Sequence, residues 1–454
     1  MNKSIFRAYD IRGVYPRDIN EGVVYQITRH FRKIFGSKKT IVIGHDVRES
    51  SPALYEALAA GLRVGGLSVV RVGSITTPAL SFFVKQYCAH GGVVITASHN
   101  PPEYNGLKVI GKDTIAIGGH QILKKIGWKA ITDPVDAMKI AHLPDRVDTQ
   151  EDATMRYASF LSTRVSLSRP ISVVCDASNG STGAVIEALQ ERALVEGMSY
   201  TLLHTDADPL FRAHGPDPSD PHTWIETQKE VVRKGADFGV IFDGDGDRAV
   251  FVDEKGNHIP SACAWRLFIT DPRIKKSVHT VLDSFDVGVY EKELKEAGAP
   301  VPVSYETKVG HLFVGEKMKE EDADIGFEYS GHFYFKECGG TGSGLLAMLF
   351  FAQMLSRMPY SASEFFSLLP SVTHFPEETR EIEGMALAQS IARIKKQFSK
   401  KCRVTYKDGV SVHCGDAWAS VRPSNTQPLI RIEGAATNRA HGERLMREIK
   451  KFVK

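Results

Sequence analysis

Four stretches of the chain carry side chains whose types and spacing suit chemistry. In Asp243-Gly244-Asp245-Gly246-Asp247-Arg248, three carboxylates alternate with glycines that let the backbone fold tightly, so they can converge on one hard divalent cation, of which Mg²⁺ is the natural candidate. An EF-hand opens in a similar way, and Glu254 even falls at its twelfth position. Arg248 stands where that loop needs glycine, however, and the apolar flanks 240–242 and 250–252 read as strands rather than helices. A merely acidic hairpin turn is also compatible with this spacing. The second stretch is Thr96-Ala97-Ser98-His99-Asn100-Pro101-Pro102, which follows the β-branched run Val93-Val94-Ile95 of a strand buried on both faces. It puts Ser98 at a strand's carboxyl end, where open α/β sheets bind ligands, with His99 beside it and the cation of Lys108 further on. A strand that simply terminates in serine and asparagine would look the same.

The third stretch is Gly326-Phe327-Glu328-Tyr329-Ser330-Gly331-His332, preceded by Lys308-Val309-Gly310-His311. Glu328 and Ser330 alternate with period two and can offer acceptors to sugar hydroxyls from one side of an extended segment, while His332 titrates in the range of an acid or base. A lone histidine is more often structural. The fourth stretch is Arg422-Pro423-Ser424-Asn425-Thr426-Gln427-Pro428, in which a guanidinium, hydroxyls, an amide and backbone N–H groups make a phosphate cradle or, equally, a polar turn. Near the amino terminus, Arg7, Tyr9, Asp10 and Arg12 allow either a phosphate-facing arginine or a surface ion pair. Together the four stretches supply a nucleophilic serine, a metal loop, a polyol-binding loop and a phosphate cradle, which are the parts needed to move phosphoryl groups on a sugar.

The elements that must position these residues follow from periodicity. Runs at 40–44 and 67–72 read as strands, as does the serine strand, and helices are expected over 22–35, from Pro52 with Ser51 as cap, and over 78–89. This alternation implies a mainly parallel, doubly wound layer. The same grammar returns at 171–175, which runs into Asp176, and again at 281–283, with helices near 155–165 and 287–297. Alternation at 403–406, 410–413 and 417–422, before an amphipathic helix over 439–452, reads as an antiparallel α+β unit. The expected fold class is α/β, with three related mixed-sheet domains over 1–150, 151–255 and 256–365 and a smaller α+β domain over 366–454, all around a central cleft. A boundary is expected at 130–155, where Asp133-Pro134 and Pro144-Asp145 interrupt the pattern.

Composition fits a soluble globular α/β protein. At 454 residues the chain suggests about three or four domains. With 42% hydrophobic residues, 57 basic against 54 acidic side chains and no Lys/Arg block, nothing calls for nucleic acid. No apolar stretch is long enough to span a membrane, and Arg7, Asp10 and Arg12 interrupt the region a signal peptide would need, so a cytoplasmic protein is expected. The six cysteines are widely spread without a zinc spacing and are read as reduced, mostly buried thiols.

The set FRAYDIRG, TASHNPPEYNGLK, DGDGDR, KVGH, FEYSGH and RPSNTQP, in this order along essentially the whole chain, resembles the α-D-phosphohexomutase family, most closely its phosphomannomutase/phosphoglucomutase branch. The resemblance implies a phosphorylated Ser98, one Mg²⁺ held by Asp243, Asp245 and Asp247 with a phosphoserine oxygen, and a hexose 1,6-bisphosphate intermediate. It further implies that Glu328 and Ser330 bind sugar hydroxyls and that Arg422, Ser424, Asn425 and Thr426 grip the substrate phosphate. Tyr9, Arg12, Lys108, Arg248, Lys308, His311 and His332 would line the reacting centre, with Lys108 or His332 as base and His99 shaping the loop. The implied partner is a hexose phosphate, the implied assembly a monomer or weak dimer. Asp283-Ser284-Phe285-Asp286 departs from the family pattern, where a lysine is common, as do Gln427 and Phe327, which leaves the choice of mannose or glucose open. Tyr329 and Asn425 rank the glucosamine branch lower, and a non-catalytic sugar-phosphate binder of the same fold is the rival reading.

Overall fold

The computed structural model describes residues 2–132, 146–147, 150–381, 384–423 and 429–453. The expected boundary at 130–155 falls largely outside these described residues. Four sheets organise the chain. The first is six-stranded, in the order Ile11–Val14, Tyr104–Gly111, Gly91–Ile95, Thr40–His45, Ser68–Ser74 and Arg146–Val147. Its interior is parallel, whereas Tyr104–Gly111 pairs antiparallel with both of its neighbours, so the sheet is mixed. The second runs His258–Ile259, Ala249–Asp253, Phe238–Phe242, Ile171–Asp176, Met198–Leu203, and the third Val303–Thr307, Lys276–Thr280, Ile325–Phe327, Phe333–Phe335.

These three sheets share one plan. In each, two or more parallel strands are followed by an antiparallel hairpin, made by Gly91–Ile95 with Tyr104–Gly111, by Phe238–Phe242 with Ala249–Asp253, and by Ile325–Phe327 with Phe333–Phe335. The connections of those three hairpins are the serine, aspartate and Glu328 stretches. The fourth sheet, Thr373–Arg380, Ile430–Ala436, Ala417–Pro423, Val410–Cys414 and Arg403–Thr405, is antiparallel throughout, as its alternation predicts.

One continuous core joins the first three sheets. The helix Gly344–Ser356 is buried at every position, and Phe351 stacks on Phe251 with ring centroids 4.5 Å apart. Its sequence, GLLAMLFFAQMLS, is apolar all round, which is the signature of a helix with no solvent face. A separate core lies under the first sheet's outer face, and another fills the fourth unit around Val412, Ile432 and Met446.

Several local expectations are corrected. The helix expected over 22–35 is broken into Glu21–Thr28 and Arg32–Phe35, and Thr28 Oγ1 donates to Val24 O at 2.8 Å, competing for the carbonyl that holds the last turn. Ser51 does not cap its helix: the N-cap is Ser50, and the Ser51 hydroxyl donates instead to Asp46 Oδ1 at 2.5 Å. The third parallel strand ends at Thr280, so 281–283 form the turn that leads into the helix Ser284–Glu296. Cys402 and Cys414 are joined in a disulfide rather than reduced. The hairpin explains it, because Arg403 pairs with His413, which sets the two flanking cysteines directly opposite each other. Cys175 and Cys338 are buried thiols as expected, whereas Cys88 is exposed. Among the described residues, no helix is long and apolar enough to cross a membrane.

Candidate active site

Ser98 sits just past the carboxyl end of the fully buried strand Gly91–Ile95, itself only 2% exposed and in the left-handed backbone region at φ 53°. A non-glycine residue is held there only when its surroundings over-determine it. Arg48 supplies much of that restraint. Its guanidinium, completely buried, donates to the carbonyls of Ser98 (2.7 Å), Asn100 (2.6 Å), Pro101 (2.7 Å) and Tyr104 (3.1 Å), and it is paired with Asp46 at 3.1 Å. The Ser98 N–H donates to Thr96 Oγ1 at 2.9 Å, and the hydroxyl donates to Asp243 Oδ2 at 2.7 Å with His99 Nδ1 on its other side at 3.2 Å. Burial holds His99 well below the ordinary histidine range, so its ring is neutral near pH 7.

The aspartate loop meets the serine loop at backbone distance. A Cβ on Gly244 would lie 2.8 Å from Ser98 O, and Gly246 has φ +76°, so both glycines are demanded by the approach and by the turn. Asp243, Asp245 and Asp247 are all buried, and each offers an oxygen within 4.8 Å of the others. Lys108 Nζ bridges Asp245 Oδ2 at 2.7 Å and Asp247 Oδ2 at 2.6 Å, and Thr77 and Thr96 hydroxyls also donate to Asp245 Oδ2. Burial and repulsion by Asp247 and Asp245 push Asp243 well above the usual carboxylate range. Burial and Asp247 would raise Asp245 too, but Lys108 overrides them and holds it down; Lys108 likewise outweighs burial at Asp247. The cluster therefore lacks positive charge. Asp245 Oδ1 is buried and receives no hydrogen bond, and the donor set of carboxylates and one hydroxyl is all oxygen, which fits a hard divalent ion such as Mg²⁺.

These loops form the floor of a cavity of about 590 Å³ lined by Tyr9, Arg12, Ser98, His99, Lys108, Arg248, His311, Glu328, Ser330, His332 and Arg422. His332 Nδ1 lies 2.9 Å from Ser330 Oγ, and its Nε2 lies 3.3 Å from Asp247 Oδ1 and from Arg248 Nε, with Arg248 and His332 also joined by an isolated antiparallel backbone bridge. The Asp247 contact is an ion-pair distance without a well-aligned hydrogen bond, since Oδ1 counts no donor. Tyr9 donates to Val309 O at 2.6 Å and packs on His311, which burial lowers to about 4 and so keeps neutral. Arg12 donates to Asn100 Oδ1 at 2.6 Å and to Asp10 at 2.5 Å.

Some residues sit differently from expectation. Glu328 faces the cavity but already accepts from Gly310 N–H at 2.9 Å through one oxygen and from the Tyr334 hydroxyl through the other, so it also braces the 308–311 turn. Lys308 does not line the cavity; it is exposed, with its ammonium 5.6 Å above the Phe313 ring. Lys108 is a poor base, because burial would lower it but Asp245 and Asp247 raise it above the ordinary lysine value. Ser424, Asn425 and Thr426 lie outside the described residues. Arg422 donates to Glu433 Oε1 at 2.9 Å, and Arg431, which the sequence reading omits, also lines the cavity and pairs with Glu377 at 2.6 Å. Arg48 and Asp46 were likewise not singled out. Their signal is topological: Thr40–His45 runs parallel beside Gly91–Ile95, so the residues after both strands meet.

Sequence comparisons agree with this architecture domain by domain. Family models for phosphoglucomutase/phosphomannomutase match alpha/beta/alpha domain I over residues 3–130, domain II over 155–256, domain III over 255–372 and the C-terminal domain over 377–452. The chain is 32% identical over 461 residues to a phosphoglucomutase of Neisseria gonorrhoeae, covering 100% of this chain and 97% of that protein. It is 30% identical over 450 residues to a phosphomannomutase of Salmonella montevideo, covering 95% and 94%. Among solved structures, a phosphoglucomutase/phosphomannomutase family protein from Burkholderia thailandensis superimposes with a TM-score of 0.85 at 28% identity, over 100% of this chain and 98% of that one. The chain belongs to the phosphoglucomutase/phosphomannomutase family. It is a phosphohexomutase, an intramolecular phosphotransferase of carbohydrate metabolism.

Proposed function

We propose that the enzyme interconverts hexose 1-phosphate and hexose 6-phosphate, with mannose, glucose or both as the hexose, through phosphorylated Ser98 and a hexose 1,6-bisphosphate. The observation that carries this reading is the Ser98 hydroxyl bonded to Asp243 in a cavity that Arg422 and Arg431 also line. Nucleophile and two guanidinium groups line one space large enough for a sugar bisphosphate. Asp243, Asp245 and Asp247 would hold Mg²⁺, which when bound neutralises charge on the transferring phosphoryl group.

The chain's own residues perform the rest. As the bond from phosphorus to Ser98 Oγ breaks and one to the sugar hydroxyl forms, His332, oriented by Ser330, accepts the hydroxyl proton. Lys108 and Arg248 stay charged and stabilise the transferring group rather than moving protons. The bisphosphate then turns end for end, Arg422 and Arg431 exchange one phosphate for the other, and the second phosphate restores phosphoserine. Glu433 and Glu377 preorient the two arginines before substrate arrives. Intact mass tests the reading: one phosphate on Ser98, discharged by glucose 1-phosphate or mannose 1-phosphate, is expected, and a chain that turns over either sugar without ever carrying phosphate on Ser98 sinks it.

A further inference from the structure

A second polar cluster lies at the same sheet edge as the aspartate loop and takes no part in the cleft. Asp176 ends the strand Ile171–Asp176, which runs parallel beside Phe238–Phe242, the strand that leads into Asp243. Its buried carboxylate faces two imidazoles, with His204 Nδ1 3.1 Å from both oxygens and His214 Nε2 3.1 Å from Oδ2. Ser178 N–H (2.9 Å) and Thr227 Oγ1 (3.2 Å) fix the carboxylate from behind.

The outer nitrogens of the two rings decide what the inner ones offer. His214 Nδ1 is 3.0 Å from Gly215 O, and a carbonyl only accepts, so that nitrogen carries the proton and Nε2 presents a lone pair to Asp176. His204 Nε2 is 3.3 Å from Glu226 Oε2, an ion-pair distance, so this ring stands between two carboxylates. An imidazole nitrogen and a carboxylate oxygen 3.1 Å apart need a proton or a metal ion between them. A carboxylate or a backbone carbonyl behind each imidazole is the outer-shell arrangement of metal-bound histidines. The 3.1 Å edges are close to the roughly 3.3 Å that separates ligands around a tetrahedral ion with bonds of about 2.0–2.1 Å. The histidine side chains are 20% and 12% exposed, which leaves solvent a route to a fourth position.

We propose that Asp176, His204 and His214 form a binding site for a divalent transition ion of the Zn²⁺ class, separate from the aspartate loop that suits Mg²⁺. Mixed imidazole and carboxylate donors favour such an ion, whereas three carboxylates favour a harder one. The site is structural. It pins the two ends of the segment 204–214, whose Phe211 ring lies 5.1 Å from the Arg48 guanidinium and touches Gly244, so the ion braces the serine and aspartate loops from behind.

The test is titration of the metal-stripped full-length protein with ZnCl₂ in excess MgCl₂. One Zn²⁺ per chain is expected in the parent and in Asp243→Asn, and binding at least about 10²-fold weaker in His204→Ala/His214→Ala, with Glu226→Gln intermediate at about 10–100-fold. Zinc binding that disappears in Asp243→Asn, or that persists in the double-histidine variant, overturns the proposal. Should the double variant not fold, zinc-edge X-ray absorption of the parent protein decides: two imidazole nitrogens at about 2.0–2.1 Å support the site, and an all-oxygen shell or no bound zinc refutes it.

Discussion

Two buried clusters end adjacent parallel strands of one sheet, and they differ in the chemistry of their donors. At the end of Phe238–Phe242 three carboxylates crowd together with Lys108, Arg248 and His332 facing them, and Asp243 is pushed up by burial and by repulsion from Asp247 and Asp245. At the end of Ile171–Asp176 a single carboxylate has two histidines for company and is instead held at about 2, against burial, by the two rings that face it. The first cluster faces the cavity and the serine; the second is turned away and braces a loop. On the proposed reading, neighbouring strand ends serve catalysis and support separately, because one is a hairpin connection open to the cleft and the other a crossover covered by the segment 204–214.

Perturbing each cluster in turn should separate these roles. Ser98→Ala is expected to abolish phosphate incorporation and lower turnover by more than about 10³-fold, measured by a coupled assay with mannose and glucose 1-phosphates. Asp245→Asn should cost about 10²–10³-fold in kcat without recovery at high Mg²⁺, while leaving zinc binding intact; full recovery with Mg²⁺ would blur the distinction between the two clusters. Zinc at about 100-fold over its Kd should stabilise the parent and Asp245→Asn by about 2.7 kcal/mol in thermal unfolding and leave the double-histidine variant unmoved.

The smallest effect concerns Glu433, a buried carboxylate set between Arg422 and the carboxylate of Glu377. Burial, together with the neighbouring Glu377 carboxylate, raises it from 4.5 to about 7, although Arg422 opposes the shift. The folded chain therefore keeps a proton that the unfolded chain releases between those values. That contribution to stability is complete below 4.5 and is lost as pH rises through about 7. Urea unfolding should show a loss of about 1–3 kcal/mol between about pH 5 and about pH 8, flattened in Glu433→Gln. An unchanged slope in that variant would move the titration to another group.

The strands around Ser98 and Asp243, the three-plus-one division of the fold and the identity of the aspartate loop were legible along the chain, since each depends on local periodicity or on residues within a few positions of one another. The antiparallel strand Tyr104–Gly111 was not, because the mixed run NGLKVIG alternates poorly and acquires its strand conformation by pairing with two neighbours. Nor was the all-buried helix Gly344–Ser356 singled out, though its uniform apolarity was in plain view. Only the assembled sheets brought Arg48 under the serine loop, Lys108 between Asp245 and Asp247, Cys402 opposite Cys414, and Asp176 against His204 and His214. The sequence by itself determined which chemical groups this enzyme owns and which loops carry them. Tertiary structure decided which groups keep their charge and which meet, because both depend on burial and on contacts between residues far apart in the chain.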